Sequence, residues 1–119
     1  MKYLLLIYGD EEASSAEEYT SSVKTDDLME RYNEFGRKAQ ARGLELTGNA
    51  LESVKAATTV RVRKDEILLT DGPFAETKEQ LGGYYLVDCK DIDEAIEVAS
   101  WIPGASTGSV EVRPIMEFS

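Results

Sequence analysis

The first apolar run of the chain, residues 2–8, limits the folds that this sequence can adopt more than any other feature. The run reads KYLLLIY, and its apolar side chains occupy both of the alternating sets of positions. Successive side chains of a β-strand point to opposite faces of the sheet, so a strand that is apolar on both faces has to be covered on both. The sequence therefore predicts a sheet with protein packed on each side of its first strand.

The periodicity of the remaining chain predicts two amphipathic helices. Thr25 or Asp26 caps the first helix, which ends at about residue 42 because Gly43 is a natural C-terminal stop. Asp91 caps the second helix, with Glu94 placed as in a capping box, and this helix ends by residue 101. The predicted apolar faces are Leu28, Tyr32, Phe35 and Ala39 in the first helix and Ile92, Ala95, Ile96 and Ala99 in the second.

Five further strand-like runs complete the pattern. Residues 58–63 alternate and join residues 67–70 through a charged tip, which is typical of a β-hairpin. The other predicted strands are residues 44–51, 84–88 and 110–116. The order βαβ(ββ)αβ, in a single domain over residues 1–119, predicts a ferredoxin-like α+β fold with an antiparallel sheet and two helices on one face.

Such a sheet leaves its second face open, and the first strand requires a cover for that face. The simplest cover is a second copy of the chain, packed sheet to sheet in an isologous homodimer. The alternative is that residues 9–25 fold over the face. We favour the homodimer, because that segment is too acidic to cover apolar surface well.

Composition excludes several classes of partner. The chain has 13 basic and 23 acidic residues and a net charge of −10, which argues against nucleic acid and against an anionic membrane surface and indicates solubility. It has no histidine and one cysteine, Cys89, which we expect to be a buried and unreactive thiol in a cytoplasmic protein. We predict no cofactor and no metal, since the acidic residues 10–12 do not have the spacing of a metal site.

Residues 71–88, DGPFAETKEQLGGYYLVD, hold the densest set of reactive side chains. Asp71 is the candidate catalytic residue, a general acid or base, and the alternative is an Asx-turn before Gly72. Lys78 is a candidate for binding a ligand carboxylate or enolate oxygen, and the alternative is a salt-bridged surface turn. Thr77 and Gln80 have the spacing of a capping box, which predicts a short helix.

Tyrosines and arginines on the strands are further candidate binding residues. Tyr8 or Tyr84 can donate a hydrogen bond to a bound oxyanion, and packing in the core is the alternative. Arg61 and Arg113 alternate with valines. If those valines pack under the helices, the arginines point to the open face and bind an anionic ligand or form ion pairs between subunits.

The motif at residues 71–84, DGPFAETKEQLGGY, resembles the DGPF branch of the YCII-related domain family. The opening MKYLLLIYGDE and the closing SVEVRPI are similar to the two ends of that family, so the resemblance covers the whole chain. It implies a dimeric α+β barrel of two ferredoxin-like subunits. Relatives of the DGPF branch are often encoded beside, or fused to, extracytoplasmic-function sigma factors.

The chain departs from the family pattern because it lacks histidine. The His-Asp pair proposed for members of the wider family is impossible here, and Asp71 is left without its expected partner. The usual axial ligand of haem is also absent.

Two hypotheses of function follow, and the sequence leaves open whether the protein is an enzyme. The first is a cofactor-independent enzyme of lyase, isomerase or hydrolase type that acts on a small organic acid, with Asp71 as the acid or base. The second is a non-catalytic module that binds a ligand or a protein, in association with sigma-factor regulation.

Overall fold

The first strand lies inside a four-stranded antiparallel sheet. The computed structural model describes residues 1–11 and 22–118. Strand β1 (Lys2–Gly9) pairs with β5 (Gln80–Asp88) on one side and with β6 (Ser109–Pro114) on the other, and β2 (Leu46–Ala50) pairs with the free side of β5. The strand order is β2-β5-β1-β6. The predicted ferredoxin-like α+β fold is thereby confirmed.

The first helix, α1 (Ser22–Ala41), begins earlier than predicted. Thr25 and Asp26 lie inside it, so the prediction that one of them is the N-cap is wrong. No residue in this stretch marks the first turn strongly, and spacing alone does not locate it. The predicted end is confirmed: Gly43 has φ +82°, its N–H bonds the carbonyl of Gln40 at 2.9 Å, and the next N–H bonds Ala39 at 3.0 Å. This is the Schellman arrangement that glycine favours.

The second helix, α2 (Ile92–Ser100), is followed by one short turn of helix, α3 (Gly104–Thr107). The predicted cap is confirmed, because the Asp91 carboxylate accepts a hydrogen bond of 2.9 Å from the Glu94 N–H. The predicted apolar face is partly wrong. The buried residues are Ala95, Val98 and Ala99, whereas Ile92 and Ile96 are exposed. The face is rotated toward Val98 because the apolar spacing continues to the buried Ile102.

The hydrophobic core lies between the sheet and the two longer helices. Tyr3 and Leu5 of β1 are almost fully buried and form one cluster with Phe35 of α1 and Val98 of α2. Residues opposite Tyr3 and Leu5 in the register, such as Val87, point to this same face. The intervening positions of β1 therefore face the other side of the sheet, which no described helix covers.

The predicted hairpin is confirmed, but it lies apart from the main sheet. Strands β3 (Thr58–Arg63) and β4 (Glu66–Asp71) form a separate two-stranded sheet, here called the β-arm (residues 58–71). Val60 and Val62 are 59% and 57% exposed. The condition stated for the arginines, that the neighbouring valines pack under the helices, is therefore not met at Arg61.

Sequence reasoning placed the boundaries of the other strands less accurately. Strand β5 begins at Gln80 and not at residue 84, since the pairing continues through a β-bulge opposite Ile7 and Tyr8. Most of the acidic segment 9–25, the alternative cover for the open face, lies outside the described residues. Within the described part of the chain, no helix has both the length and the apolar character that crossing a bilayer requires.

Candidate functional site on the open face of the sheet

The open face of the sheet combines apolar and polar side chains in cross-strand rows. Leu4 and Leu6 of β1 lie directly opposite Leu86 and Tyr84 of β5, and all four are only partly buried. Tyr8 follows on the same face, in register with Ser109 of β6. Through the register, the face comprises Leu4, Leu6, Tyr8, Thr47, Asn49, Tyr84, Leu86, Ser109, Glu111 and Arg113. Its leucine centre and polar borders are typical of a surface that meets a partner or a ligand.

Tyr84 is oriented by a neighbour on the edge strand. The Asn49 side-chain amide donates a hydrogen bond of 3.0 Å to the Tyr84 hydroxyl, and the two residues are register partners. A phenol hydroxyl has one proton to donate and lone pairs to accept with. Because Asn49 occupies a lone pair, the Tyr84 proton remains available for an acceptor above the sheet. The adjacent Tyr85 points the other way and packs edge-on against Phe35 at 5.1 Å, as strand alternation predicts.

Arg113 lies at the opposite border of the face. It forms an ion pair with Glu111, two residues away on the same side of β6. These residues are the register partners of Leu4 and Leu6. Arg113 thus has an ionic partner within its own chain. The Arg113 side chain is still 65% exposed, so its guanidinium keeps donors that face solvent.

The base of the β-arm is fixed by two hydrogen bonds to the backbone of Gly72. The N–H of Gly72 donates to the Ala57 carbonyl at 2.7 Å, and the Thr59 hydroxyl donates to the Gly72 carbonyl at 2.8 Å. Arg61 reaches over the following turn and donates to the Phe74 carbonyl at 3.4 Å. Arg61 therefore holds the turn at the start of the 72–79 loop. Arg61 lies on the two-stranded sheet, whereas Arg113 lies on the four-stranded sheet.

Asp71 ends β4 at the base of the β-arm, and it is exposed. Among the residues whose side chains the structure describes, 1–11 and 27–118, its carboxylate has no partner in a hydrogen bond or an ion pair. The Asx-turn, its alternative interpretation, is not formed, because the Gly72 N–H is already bonded to Ala57 and Pro73 has no N–H. Asp71 belongs to the two-stranded sheet, whereas Tyr8, Tyr84 and Arg113 belong to the four-stranded sheet. The chain therefore places these two sets of candidates on different elements.

Lys78 lies exposed on the 72–79 loop and forms no ion pair with the described residues, so the predicted salt-bridged turn is not seen there. The short helix predicted from Thr77 and Gln80 is wrong. The Thr77 hydroxyl donates to the Glu79 carbonyl, and the Gln80 side-chain amide donates to the Thr77 carbonyl at 2.7 Å. Both side chains satisfy carbonyls and not N–H groups, which is the opposite of an N-cap.

Glu11 is a structural residue that sequence reasoning missed. Its carboxylate accepts hydrogen bonds from the Val54 N–H at 3.0 Å and from the Ser53 hydroxyl at 2.9 Å. Its own N–H donates to the side-chain oxygen of Gln80 at 3.0 Å. Glu11 thus joins the end of β1 to the turn that leads into the β-arm. No signal in the acidic run of residues 10–12 distinguishes Glu11 from its neighbours.

Cys89 behaves as its position after an apolar strand predicts. It is 2% exposed and has no disulfide partner. Burial raises the pKa of its thiol, and the nearby Glu94 and Asp88 carboxylates raise that pKa further. A thiol with a raised pKa is a poor nucleophile at neutral pH, so the interpretation as an unreactive thiol is supported.

A shallow groove of about 310 Å³ lies on the other side of the molecule, between α1 and residues 100–106. Lys38 and Trp101 line it, and the Lys38 ammonium lies 4.4 Å from the centre of the Trp101 ring. None of the predicted site residues lines this groove. The described residues contain no group of three or more cysteine, aspartate and glutamate side chains suited to a metal ion.

Comparison with known proteins agrees with this architecture. The sequence model of the YCII-related domain matches residues 1–119. The uncharacterized protein R00369 of Rhizobium meliloti (strain 1021) is 41% identical over 117 residues, which cover 97% of this chain and 92% of that protein. The match extends over both the sheet and the β-arm. This chain belongs to the YCII-related domain family.

Proposed function

We propose that this protein binds a small anionic organic molecule, such as a carboxylic acid, on the open face of its sheet. We infer that the face is enclosed in a homodimeric α+β barrel, and that the motif at residues 71–74 assigns the chain to the DGPF branch of its family. The observation that carries the proposal is the Asn49–Tyr84 hydrogen bond, which leaves the Tyr84 proton available beside the leucines at the centre of the face.

The chemistry of the face suits an organic acid. Arg113 retains exposed guanidinium donors beside Leu4, and the Tyr8 hydroxyl lies on the same face. A carboxylate accepts charge-assisted hydrogen bonds from arginine and from phenol hydroxyls, and the ligand's carbon skeleton packs on leucines. Enclosure by a second sheet strengthens these bonds, because it removes competing water.

A cofactor-independent enzyme is the second candidate function. It is favoured by one observation, namely that the Asp71 carboxylate makes no hydrogen bond or ion pair among the described residues. A carboxylate without other partners can accept a proton from a carbon acid and return it, as lyases and isomerases require. In this candidate function Lys78 stabilises the resulting oxyanion. The enzyme hypothesis also includes a hydrolase. The hypothesis of a binding module also includes a regulator that binds a protein such as a sigma factor.

A ligand screen tests the proposal. Small mono-, di-, keto- and hydroxycarboxylic acids are screened by thermal shift against the wild type and the variants Tyr84→Phe, Arg113→Gln and Arg63→Gln. We expect at least one acid to stabilise the wild type. Tyr84→Phe and Arg113→Gln should each weaken its binding by about 10-fold or more, since each removes a hydrogen bond to a charged group.

Arg63→Gln is the matched control, because Arg63 lies on the β-arm and donates to the Val62 carbonyl. It should bind the acid as the wild type does. Binding that survives in both open-face variants would refute the proposed site. Turnover is followed by NMR in parallel, and the enzyme hypothesis requires that the wild type consumes the acid and Asp71→Asn does not.

A further inference from the structure

The β-arm presents an apolar face that nothing in the described chain covers. Val60 pairs with Leu69 and Val62 pairs with Ile67 across the two strands, so these four side chains share one face. They are 59%, 67%, 57% and 70% exposed, respectively. The opposite face carries the Arg61–Leu68 and Thr59–Thr70 pairs, and Arg61 is anchored on the Phe74 carbonyl. The β-arm therefore has one apolar face and one mixed face.

The turn at the tip of the β-arm does not have the residues that stabilise a hairpin by themselves. Lys64 and Asp65 form a two-residue turn with φ +50° and +64°. Such turns favour Asn-Gly, because most other residues resist positive φ at both positions. An isolated two-stranded hairpin is marginal in water even with a favourable turn. The β-arm thus needs a partner surface, and its apolar face is the surface available for that contact.

A second copy of this chain is the partner that fits. The open face of the sheet is also apolar and uncovered among the described residues, so one molecule carries two surfaces that need cover. The β-arm leaves the sheet where β2 ends and returns at the start of β5, at the Tyr8 end of that open face. A molecule packed on the open face therefore lies next to the base of the β-arm. In a two-fold dimer, the open face and the β-arm of each subunit are then both covered by the other subunit.

Charge favours the same partner. The β-arm contains three basic residues and three acidic ones, so the net charge of −10 lies entirely on the rest of the chain. A neutral apolar segment can approach an acidic second copy without the repulsion that the remaining surface would meet. The Cα radius of gyration is 16.4 Å, against about 13.5 Å for a compact chain of this length. A segment that extends from its own domain is consistent with contact to another molecule.

We propose that the apolar face of the β-arm, formed by Val60, Val62, Ile67 and Leu69, packs on a second copy of this chain and clasps the dimer. The inference rests on the proposed homodimer and adds to it a second contact surface. Each β-arm crosses to the partner subunit, so its apolar face becomes buried only in the assembled dimer. The mixed face, with Leu68, remains outside this contact.

The test compares two neighbouring leucines on opposite faces of β4. The dimer dissociation constants of the wild type, Leu69→Glu and Leu68→Glu are measured by sedimentation velocity over a dilution series. Leu69→Glu should weaken the dimer by about 100-fold, because a two-fold interface contains the substitution twice and each loss is worth about tenfold or more. Leu68→Glu, which places its carboxylate opposite Arg61, should stay within about threefold of the wild type.

Two further measurements keep the result decisive. If Leu69→Glu fails to fold, Val62→Thr takes its place: it keeps a β-branched side chain but puts a hydroxyl where a methyl group was, so it should weaken the dimer by about 10-fold. Leu4→Glu on the open face shows whether the sheet-to-sheet contact holds the dimer independently of the β-arm. Loss of the dimer in Leu4→Glu, with Leu69→Glu unchanged, would refute the clasp and leave the sheet contact standing. The reverse result would refute the sheet contact and support the clasp, and a monomeric wild type would refute both.

Discussion

Glu11 shows how a single acidic side chain can connect distant parts of the fold. Its carboxylate accepts two hydrogen bonds from Ser53 and Val54, and its N–H bonds Gln80. Those partners belong to the turn before the β-arm and to the first residue of β5. The position of the β-arm relative to the sheet thus depends in part on one residue.

Replacement of Glu11 tests this connection. Glu11→Ala should lower the free energy of unfolding by about 1–2 kcal/mol, because two hydrogen bonds to a carboxylate are lost near the surface. Hydrogen exchange of the Val54 amide should accelerate. Urea denaturation, followed by fluorescence of Trp101, the only tryptophan, measures the first effect. Glu52→Ala removes an exposed neighbouring acid and serves as the control. Equal stability of the two variants would contradict the assigned role.

Two glycines should respond in opposite directions to the same substitution. A Cβ atom at Gly108 would lie 2.1 Å from the Tyr8 carbonyl oxygen, whereas at Gly36 in α1 it would meet nothing within 4 Å. Gly108→Ala should therefore destabilise the fold by about 3 kcal/mol, because the backbone of β1 or of the turn has to move. Gly36→Ala should stabilise it by about 0.5–1 kcal/mol through helix propensity. Thermal unfolding measures both, and a Gly108→Ala protein as stable as the wild type would refute the close approach.

The two longer helices are linked at their ends by Arg42. Its guanidinium donates to Glu97 of α2 at 2.7 Å, lies 3.7 Å from Glu94 and stacks 5.1 Å from the centre of the Trp101 ring. The hydrogen bond from Arg42 lowers the pKa of the Glu97 carboxyl below its ordinary value of 4.5, against a smaller opposing effect of burial. The pair therefore couples the end of α1 to α2 in a pH-dependent way.

The direction of that dependence follows from linkage. A carboxyl with a lowered folded-state pKa stabilises the fold above its unfolded pKa, and this contribution is lost as the pH falls through the folded value. The melting temperature of Glu97→Gln should thus lie below that of the wild type at pH 7, and the difference should vanish well below pH 4.5. Glu45→Gln, at an exposed position, should show no such convergence. A difference that persists unchanged in acid would contradict the role of the ion pair.

The sequence predicts most of the helices and strands, because the residues that begin and end them act on nearby backbone groups. The Asp91 cap and the Gly43 stop depend on neighbouring backbone groups, and both form as predicted. The β-arm illustrates what local signals cannot reveal. Val60 and Val62 alternate with arginines. The same alternation occurs in a strand that packs under helices and in a strand that projects from the domain, so it predicts a strand but not what the strand packs against.

The sequence also predicts part of the candidate site, namely the residues whose face follows from alternation along one strand. Alternation along β5 places Tyr84 and Tyr85 on opposite faces, and that arrangement is present. The hydrogen bond from Asn49 was not predictable, because it depends on the register between β2 and β5, which only tertiary pairing sets. The position of Asp71 on a separate sheet could not be inferred for the same reason.

The described residues leave apolar side chains in contact with solvent on two separate surfaces. The open face holds Leu4, Leu6 and Leu86 half-buried, and the β-arm exposes five aliphatic side chains, four of them on its apolar face. Contiguous exposed apolar surface in a stable protein marks an interaction site. One surface is the open face of the four-stranded sheet and the other is the β-arm. In the proposed dimer, the second subunit contacts both.

The two uncovered surfaces predict that the protein is a dimer in solution. The wild type should sediment as a dimer, and Leu4→Glu should weaken the dimer by about 100-fold, since two-fold symmetry places two buried charges in the interface. Leu4 lies opposite Arg113 in the register, so the subunit itself can tolerate the new carboxylate, and circular dichroism should be unchanged. Met29→Glu is the matched control, because Met29 is a 62% exposed apolar residue on α1, away from the open face. It should remain a dimer. If the wild type sediments as a monomer at every concentration, or if Met29→Glu dissociates as readily as Leu4→Glu, the open face is not the dimer interface.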